Sequence, residues 1–210
     1  MRPLPRLHAV TDRTVLELED FPVRAAAIAA AGPAVAIQVR DHAATAERLT
    51  AVAKRVGALA RPPEASVFIN GRADIAAALE LQGLHLSQRD LVASDARAAF
   101  GGRWQGWIGV SVHSSSEADA ALAEGADYLM VGNVYETSTH PGRPGTGLAL
   151  VRELADRGAP VIGIGGITPA RVAALCDAGA YGVAAITALW HAEDPARAAL
   201  ALLAPWSEAA

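Results

Sequence analysis

The sequence predicts an α/β fold, a single-domain (βα)8 TIM barrel over residues 1–210. Three observations point to it. Eight short apolar or β-branched runs recur along the chain, Ala/Leu-rich segments of helical period separate them, and the glycine-rich turn follows the seventh run rather than the first. Such alternation is the pattern of repeated βα units around a parallel sheet. An open doubly wound sheet would carry its glycine fingerprint after the first strand, and "AVTDRTVLE" has no glycine.

Taken in order, the first run, Leu7 to Thr11, opens the barrel, and the second, Ala34 to Arg40, leads into "AERLTAVAKRVGALA" with apolar residues at helical spacing. The third, Ser66 to Asn70, precedes "RADIAAALELQ", and the fourth is the short Gly83 to Leu86. The fifth, Trp107 to Val112, begins beside Trp104, and both tryptophans suit packing near the barrel bottom. After it, Ser114 and Glu117 have the spacing of a capping box that opens the helix in "SEADAALAEGA". The sixth, Tyr128 to Val131, is followed by the Pro/Gly-rich "STHPGRPGTG" and the helical "LALVRELADRG". The seventh, Val161 to Ile164, ends in "GIGGITPA", where Thr168 can cap the helix "PARVAALCDAGA" and Pro169 suits its first turn. The eighth, Gly182 to Ile186, precedes a last helix, and no linker or low-complexity segment divides the chain.

Composition excludes several function classes. Apolar runs fall well short of the roughly 18 residues needed to cross a bilayer, and the first residues lack a signal peptide's apolar core, so a cytoplasmic protein without a membrane partner is expected. Cys176 is the only cysteine, which rules out an intrachain disulfide or a thiolate metal cluster. A net charge of −4 without a basic stripe argues against a nucleic-acid partner. The single lysine, Lys54, lies within a helical pattern rather than at a strand end, which disfavours Schiff-base chemistry.

Barrel active sites assemble at the C-terminal ends of strands. Those ends read Asp12; Gln38 and Arg40; Asn70; Gln88 and Asp90; Ser111 and His113; Thr137 and Thr139; Gly165-Gly166; and Thr187. The glycine pair fits either a phosphate cradle or a ligand-free tight turn. Arg40 fits either an anionic substrate or a salt bridge at the barrel mouth. His113, just ahead of a helix N-terminus, is either a strand-end polar residue or a general acid/base, since the positive helix end suits a proton acceptor. His8 and His85 read as satisfied core histidines, His191 as exposed, and Cys176 as a buried inert thiol.

Together, "VTD", "QVR", "NGRADIA", "GLHLSQRDL", "GVSVHSSSEA", "ADYLMVGNVYETSTHPGRPGTG", "VIGIGGITPARV" and "GAYGVAAITALW" resemble the thiamine phosphate synthase superfamily, which includes the thiazole tautomerases of thiamine biosynthesis. The resemblance covers nearly the whole chain. Three positions depart from the synthase pattern: His42 and His140 stand where it has lysines, and Gly71 stands where it has an aspartate that pairs with Asp90 around Mg2+. Those groups would neutralise a diphosphate, which a tautomerisation does not handle. The resemblance therefore implies a thiazole tautomerase, which aromatises a dihydrothiazole carboxylate phosphate by moving a proton from ring C2 to the exocyclic carbon.

On this expectation His113 is catalytic; Gln38, Arg40, Asn70, Ser111, Thr137 and Thr139 bind substrate; and Gly165, Gly166 and Thr187 bind phosphate. No metal and no cofactor are implied. The partner is a small-molecule thiazole phosphate, with a homo-oligomer left open. Two rival readings are a synthase joining hydroxymethylpyrimidine diphosphate to thiazole phosphate and a non-catalytic thiazole phosphate-binding regulator.

Overall fold

Runs of branched and apolar residues become strands here because both faces of each are covered, which is the environment of a parallel sheet inside a ring of helices. The computed structural model describes residues 3–61, 64–99, 101, 103–137 and 145–207. In chain order the elements are β1 (Leu7–Val10), α1 (Arg13–Leu16), α2 (Phe21–Ala29), β2 (Val35–Val39), α3 (Ala46–Ala60), β3 (Ser66–Asn70), α4 (Ala73–Ala78), β4 (Gly83–Leu86) and α5 (Ala93–Ala98). They continue with β5 (Trp107–Val112), α6 (Ser115–Ala123), β6 (Tyr128–Val131), α7 (Gly147–Ala155), β7 (Val161–Ile164), α8 (Pro169–Asp177), β8 (Gly182–Ala185), α9 (Thr187–Trp190) and α10 (Pro195–Ser207). All neighbouring strands pair in parallel, and β8 returns to β1 to close the TIM barrel.

Three strands are shorter than the sequence predicts. At the end of β1 the Thr11 amide still donates to the Gln38 carbonyl at 3.0 Å, but its hydroxyl accepts from the Arg40 amide at 2.9 Å and donates to the Arg40 carbonyl at 3.0 Å, so a side chain takes the place of the next backbone pair. Ala34 precedes β2, and Ile186 leaves the extended region at φ −110°, ψ −81° to start α9. Helix α4 also stops early, because Glu80 adopts a left-handed conformation at φ 49° and Leu81 bonds back to the Ala76 carbonyl at 2.9 Å.

Successive strand residues point alternately outward and inward. Outward residues such as Leu7, Ile37, Ile69, Leu84, Ile108, Leu129 and Val161 pack with the helices as the main core. Inward, a smaller cluster of Val10, Ala36, Phe68, Tyr128, Met130, Ile162 and Ala184 fills the barrel. Its two large rings need space on neighbouring strands. A Cβ on Gly83 would stand 2.2 Å from the Phe68 ring, and one on Gly109 would stand 1.9 Å from Cζ of Tyr128. Trp104 is buried beside the start of β5 and donates to the Leu81 carbonyl at 2.8 Å; with the half-buried Trp107 it lines a cavity of about 840 Å3 at the N-terminal end of the barrel. Lys54 is exposed on α3, away from the strand ends. No described helix is long and apolar enough to cross a membrane.

Candidate functional site

Parallel register carries the polar strand ends to one mouth. Gln38 lies in β2 and Arg40 just beyond it, Asn70 ends β3, Ser111 lies in β5 with His113 just after it, Gly165-Gly166 follow β7, and Thr187 opens α9. Thr137 lies in the segment after β6, while Thr139 and His140 lie outside the described residues.

Two hydrogen-bonded chains cross the barrel interior beneath this mouth. His8 Nδ1 lies 3.0 Å from Gln38 Oε1, and Gln38 Nε2 donates to Asn70 Oδ1 at 2.7 Å. On the other side Tyr128 Oη lies 3.2 Å from His85 Nδ1, and His85 Nε2 lies 2.8 Å from Ser111 Oγ. The chains touch through their rings, His8 standing 5.4 Å from Tyr128 and edge-on to Phe68 at 5.0 Å. Burial pushes the pKa of His8 down to about 4, a loss that the Gln38 bond and, more weakly, the Pro5 carbonyl only partly offset. Burial, reinforced first by the neighbouring His8 and then by the positive charge of Arg40, pushes His85 down to about 3, and burial raises the Tyr128 phenol well above its ordinary value. Both histidines are therefore neutral at pH 7. His85 is the satisfied core histidine that the sequence suggests. His8 is not, for its Nε2 has no hydrogen-bond partner among the described residues.

Read locally, these histidines pass for packing and Tyr128 for an ordinary core ring. The signal that finds them is strand parity: His8, Gln38, Asn70, His85, Ser111 and Tyr128 all occupy inward positions. A polar residue at such a position must be satisfied inside the barrel or face a ligand.

Charge at the mouth centres on Arg40. Burial lowers its pKa, Asp12 and Asp41 oppose that shift, and an arginine remains a cation throughout. His42 stands in the same field; burial and then Arg40 lower its pKa, while Asp90 and Asp41 act in the other direction. Asp90 is engaged locally, its Oδ2 accepting from the Ser87 amide at 2.7 Å and the Ser87 hydroxyl at 2.8 Å. Gly71 has φ 65°, and a Cβ added there would lie 2.9 Å from Asp90 Oδ1.

At the glycine turn, Gly165 and Gly166 adopt φ 95° and 64°, which glycine alone adopts without strain. Thr168 precedes α8 in extended geometry with Pro169 behind it, but its side chain makes no capping bond, contrary to the role the sequence suggested. The segment after β6 lies directly over the turn. Val134 donates to the Ile164 carbonyl at 2.8 Å and Tyr135 to the Gly165 carbonyl at 3.1 Å. A Cβ on Gly165 would meet Cβ of Asn133 at 2.5 Å, so the close approach that demands glycine includes this segment and not only an anion. Arg171 fastens the layer, donating to the Gly166 carbonyl at 2.8 Å and stacking over Tyr135 at 4.7 Å.

The capping box forms one residue out of its usual register. Ser114 Oγ accepts from the Glu117 amide at 3.2 Å, while Glu117 Oε2 accepts at 2.7 Å from the amide of His113 rather than of Ser114. His113 is exposed, and its Nδ1 is in hydrogen-bond contact with the Gly132 carbonyl at the end of β6. Since a carbonyl only accepts, Nδ1 carries a proton in this contact. His191 is exposed as expected, whereas Cys176 is half-buried rather than buried.

Comparison with known proteins assigns a context to this mouth. A family model described as thiamine monophosphate synthase matches residues 7–189. The thiamine-phosphate synthase of Thermus thermophilus is 42% identical over 203 residues, covering 96% of this chain and 91% of the relative. That of Moorella thermoacetica is 40% identical over 174 residues, 81% of each chain. Among solved structures, thiamine phosphate pyrophosphorylase from Pyrococcus furiosus superposes with a TM-score of 0.80 at 30% identity, covering 97% of this chain and 96% of that one. These relatives overturn the tautomerase expectation: proteins this similar over most of the chain are named synthases, so the departures at 42, 71 and 140 do not mark an isomerase.

Proposed function

Because the chain belongs to the thiamine monophosphate synthase family, we propose that it is a transferase joining hydroxymethylpyrimidine diphosphate to thiazole phosphate, with release of diphosphate. One observation carries the reading beyond family membership. It is the pairing at one mouth of a half-buried Arg40 guanidinium after β2 with a glycine turn ahead of α8 after β7, groups whose chemistry suits anions. A substrate pair with one diphosphate and one monophosphate needs two such places.

In this reaction the thiazole ring nitrogen attacks the methylene carbon of the pyrimidine. A C–N bond forms as the C–O bond to diphosphate breaks, and the electron pair leaves with the diphosphate. The attacking nitrogen loses no proton, so the coupling asks no general-base step of His113, which stands exposed on the rim. Arg40 meets two diphosphate oxygens with its fork of donors and stabilises the charge that grows as the bond breaks. The Gly165 and Gly166 backbone, with Thr187, holds the thiazole phosphate. Gln38, Asn70, Ser111 and Thr137 orient the rings between the two anions, and Thr139 is proposed for the same role.

The family resemblance also implies Mg2+ between carboxylates at positions 71 and 90. The residues present do not fit that site, since Gly71 offers no carboxylate and Asp90 Oδ2 already accepts twice from Ser87.

The test is thiamine phosphate formation from the two substrates. Wild type is expected to form it, and Arg40→Gln is expected to lower kcat/KM about 10- to 100-fold, the worth of a charge-assisted hydrogen bond. A wild type that forms none would refute the reading.

A further inference from the structure

We infer that His8 and His85 are positioning residues, each setting the direction of a buried hydrogen-bond chain that ends in a donor at the barrel mouth: the Asn70 amide N–H through Gln38, and the Ser111 hydroxyl.

A chain of amides and imidazoles is directional, because each amide has one end that donates and one that accepts. Gln38 Nε2 donates to Asn70 Oδ1, so Gln38 Oε1 faces His8 and His8 Nδ1 must carry the proton. Asn70 Oδ1 is thereby engaged, and its Nδ2 is the end left for the mouth. Burial grades accordingly: His8 and Gln38 are fully buried, while Asn70 is half-buried. Reversing the chain would move the proton to His8 Nε2, which makes no hydrogen bond of good geometry, the ring's weak contact with the Pro5 carbonyl not supplying one. An unpaired buried N–H is rarer and more costly than an unpaired lone pair, so the donor-outward direction is favoured.

The second chain is decided at its inner end. Tyr128 is fully buried, and its phenol keeps its proton. Its oxygen meets His85 Nδ1 at 3.2 Å, and donation to that nitrogen avoids a stranded buried O–H. His85 Nε2 then carries the imidazole proton and donates to Ser111 Oγ at 2.8 Å. Ser111, half-buried with its carbonyl already accepting from Gln88 at 2.8 Å, turns its own hydrogen toward the mouth.

The two buried histidines thus make the floor of the mouth a pair of donors, suited to acceptor atoms such as a ring nitrogen or an ester oxygen. A floor with the chains reversed would present a carbonyl and a hydroxyl lone pair and would repel the same atoms. The assignment of these acceptors to a substrate rests on the synthase reading; the direction of the chains does not.

The direct test is long-range 1H–15N correlation on histidine-labelled full-length protein between pH 6 and 8. It should show His8 as the neutral Nδ1–H tautomer and His85 as the neutral Nε2–H tautomer; the opposite tautomer or a protonated ring at either site overturns the inference. The kinetic arm uses variants that keep or remove the donor. His8→Asn places an amide nitrogen near Nδ1, and His85→Gln places one near Nε2. These should hold KM for both substrates within about threefold, whereas His8→Leu should raise KM for one substrate about tenfold with kcat little changed. In an Asn70→Ala background His8→Leu should add nothing further; an unchanged tenfold effect there would mean that His8 acts by packing alone and would overturn the inference. If the wild type turns over neither substrate, the synthase reading falls and the tautomer result alone decides the chain directions.

Discussion

At the scale of single residues, the site separates groups that carry charge from groups kept neutral. Arg40 is a cation held half-buried at the mouth, while His8 and His85 are imidazoles that burial prevents from protonating. The neutral pair has a consequence for stability. Unfolding releases both rings to the ordinary pKa of 6.5, so below that pH the unfolded chain binds protons that the folded chain refuses. Stability should therefore fall as pH drops from 6.5 toward about 4 for His8 and about 3 for His85, by about 1.4 kcal/mol per pH unit for each ring. Urea denaturation at a series of pH values measures this, and His85→Gln should remove about half of the slope. His113 offers a sharper contrast of mechanisms. General acid/base catalysis is worth about 10²- to 10⁴-fold, whereas a rim contact is worth far less. His113→Ala is expected to keep thiamine phosphate formation within about tenfold of wild type in a steady-state assay. A loss of a thousandfold would return a proton-transfer role to this residue.

At the scale of elements, the loops after β3 and β4 show how a single side chain alters a site. Gly71 sits at φ 65° with Asp90 Oδ1 2.9 Å from where a Cβ would be, so the two loops touch without a second acid. In Gly71→Asp two carboxylates would crowd at one spot, an arrangement that repels unless a cation lies between them. That variant is expected to gain affinity for Mn2+, read by titration calorimetry, and to lose stability when chelator is added; wild type should show neither effect. The loop after β6 illustrates the reverse case, in which glycine exists for a neighbour. Its residues 133–136 lie over Gly165-Gly166, held by two backbone bonds and by Arg171. Sequence alone reads those glycines only as a cradle or a tight turn, because nothing local reports that another segment also packs against them.

Across the whole molecule, the barrel is two nested cores, and the inner one makes the floor of the site. Phe68 and Tyr128 occupy space vacated by Gly83 and Gly109, so Gly109→Ala would drive a methyl into the Tyr128 ring and disturb the His85–Ser111 chain with it. The expected cost is about 3 kcal/mol or more in urea unfolding, the upper range for overpacking, with reduced activity at temperatures where the variant stays folded. Most of the architecture was legible beforehand. Strand and helix periods, the Ser114–Glu117 cap and the turn at Gly165 are local, and local spacing determines them. The activity is not legible in the same way: His42, Gly71 and His140 read as lost functions residue by residue, while similarity along the rest of the chain lies with proteins named synthases. What the sequence by itself determined is which strands form, which way their side chains alternate and which polar residues end at the mouth. Only the tertiary structure decided which of them join, since His8 meets Gln38 30 residues away and His85 meets Tyr128 43 residues away. Barrel closure sets those distances, and hydrogen-bond direction within a dry interior is fixed by partners that no local pattern names.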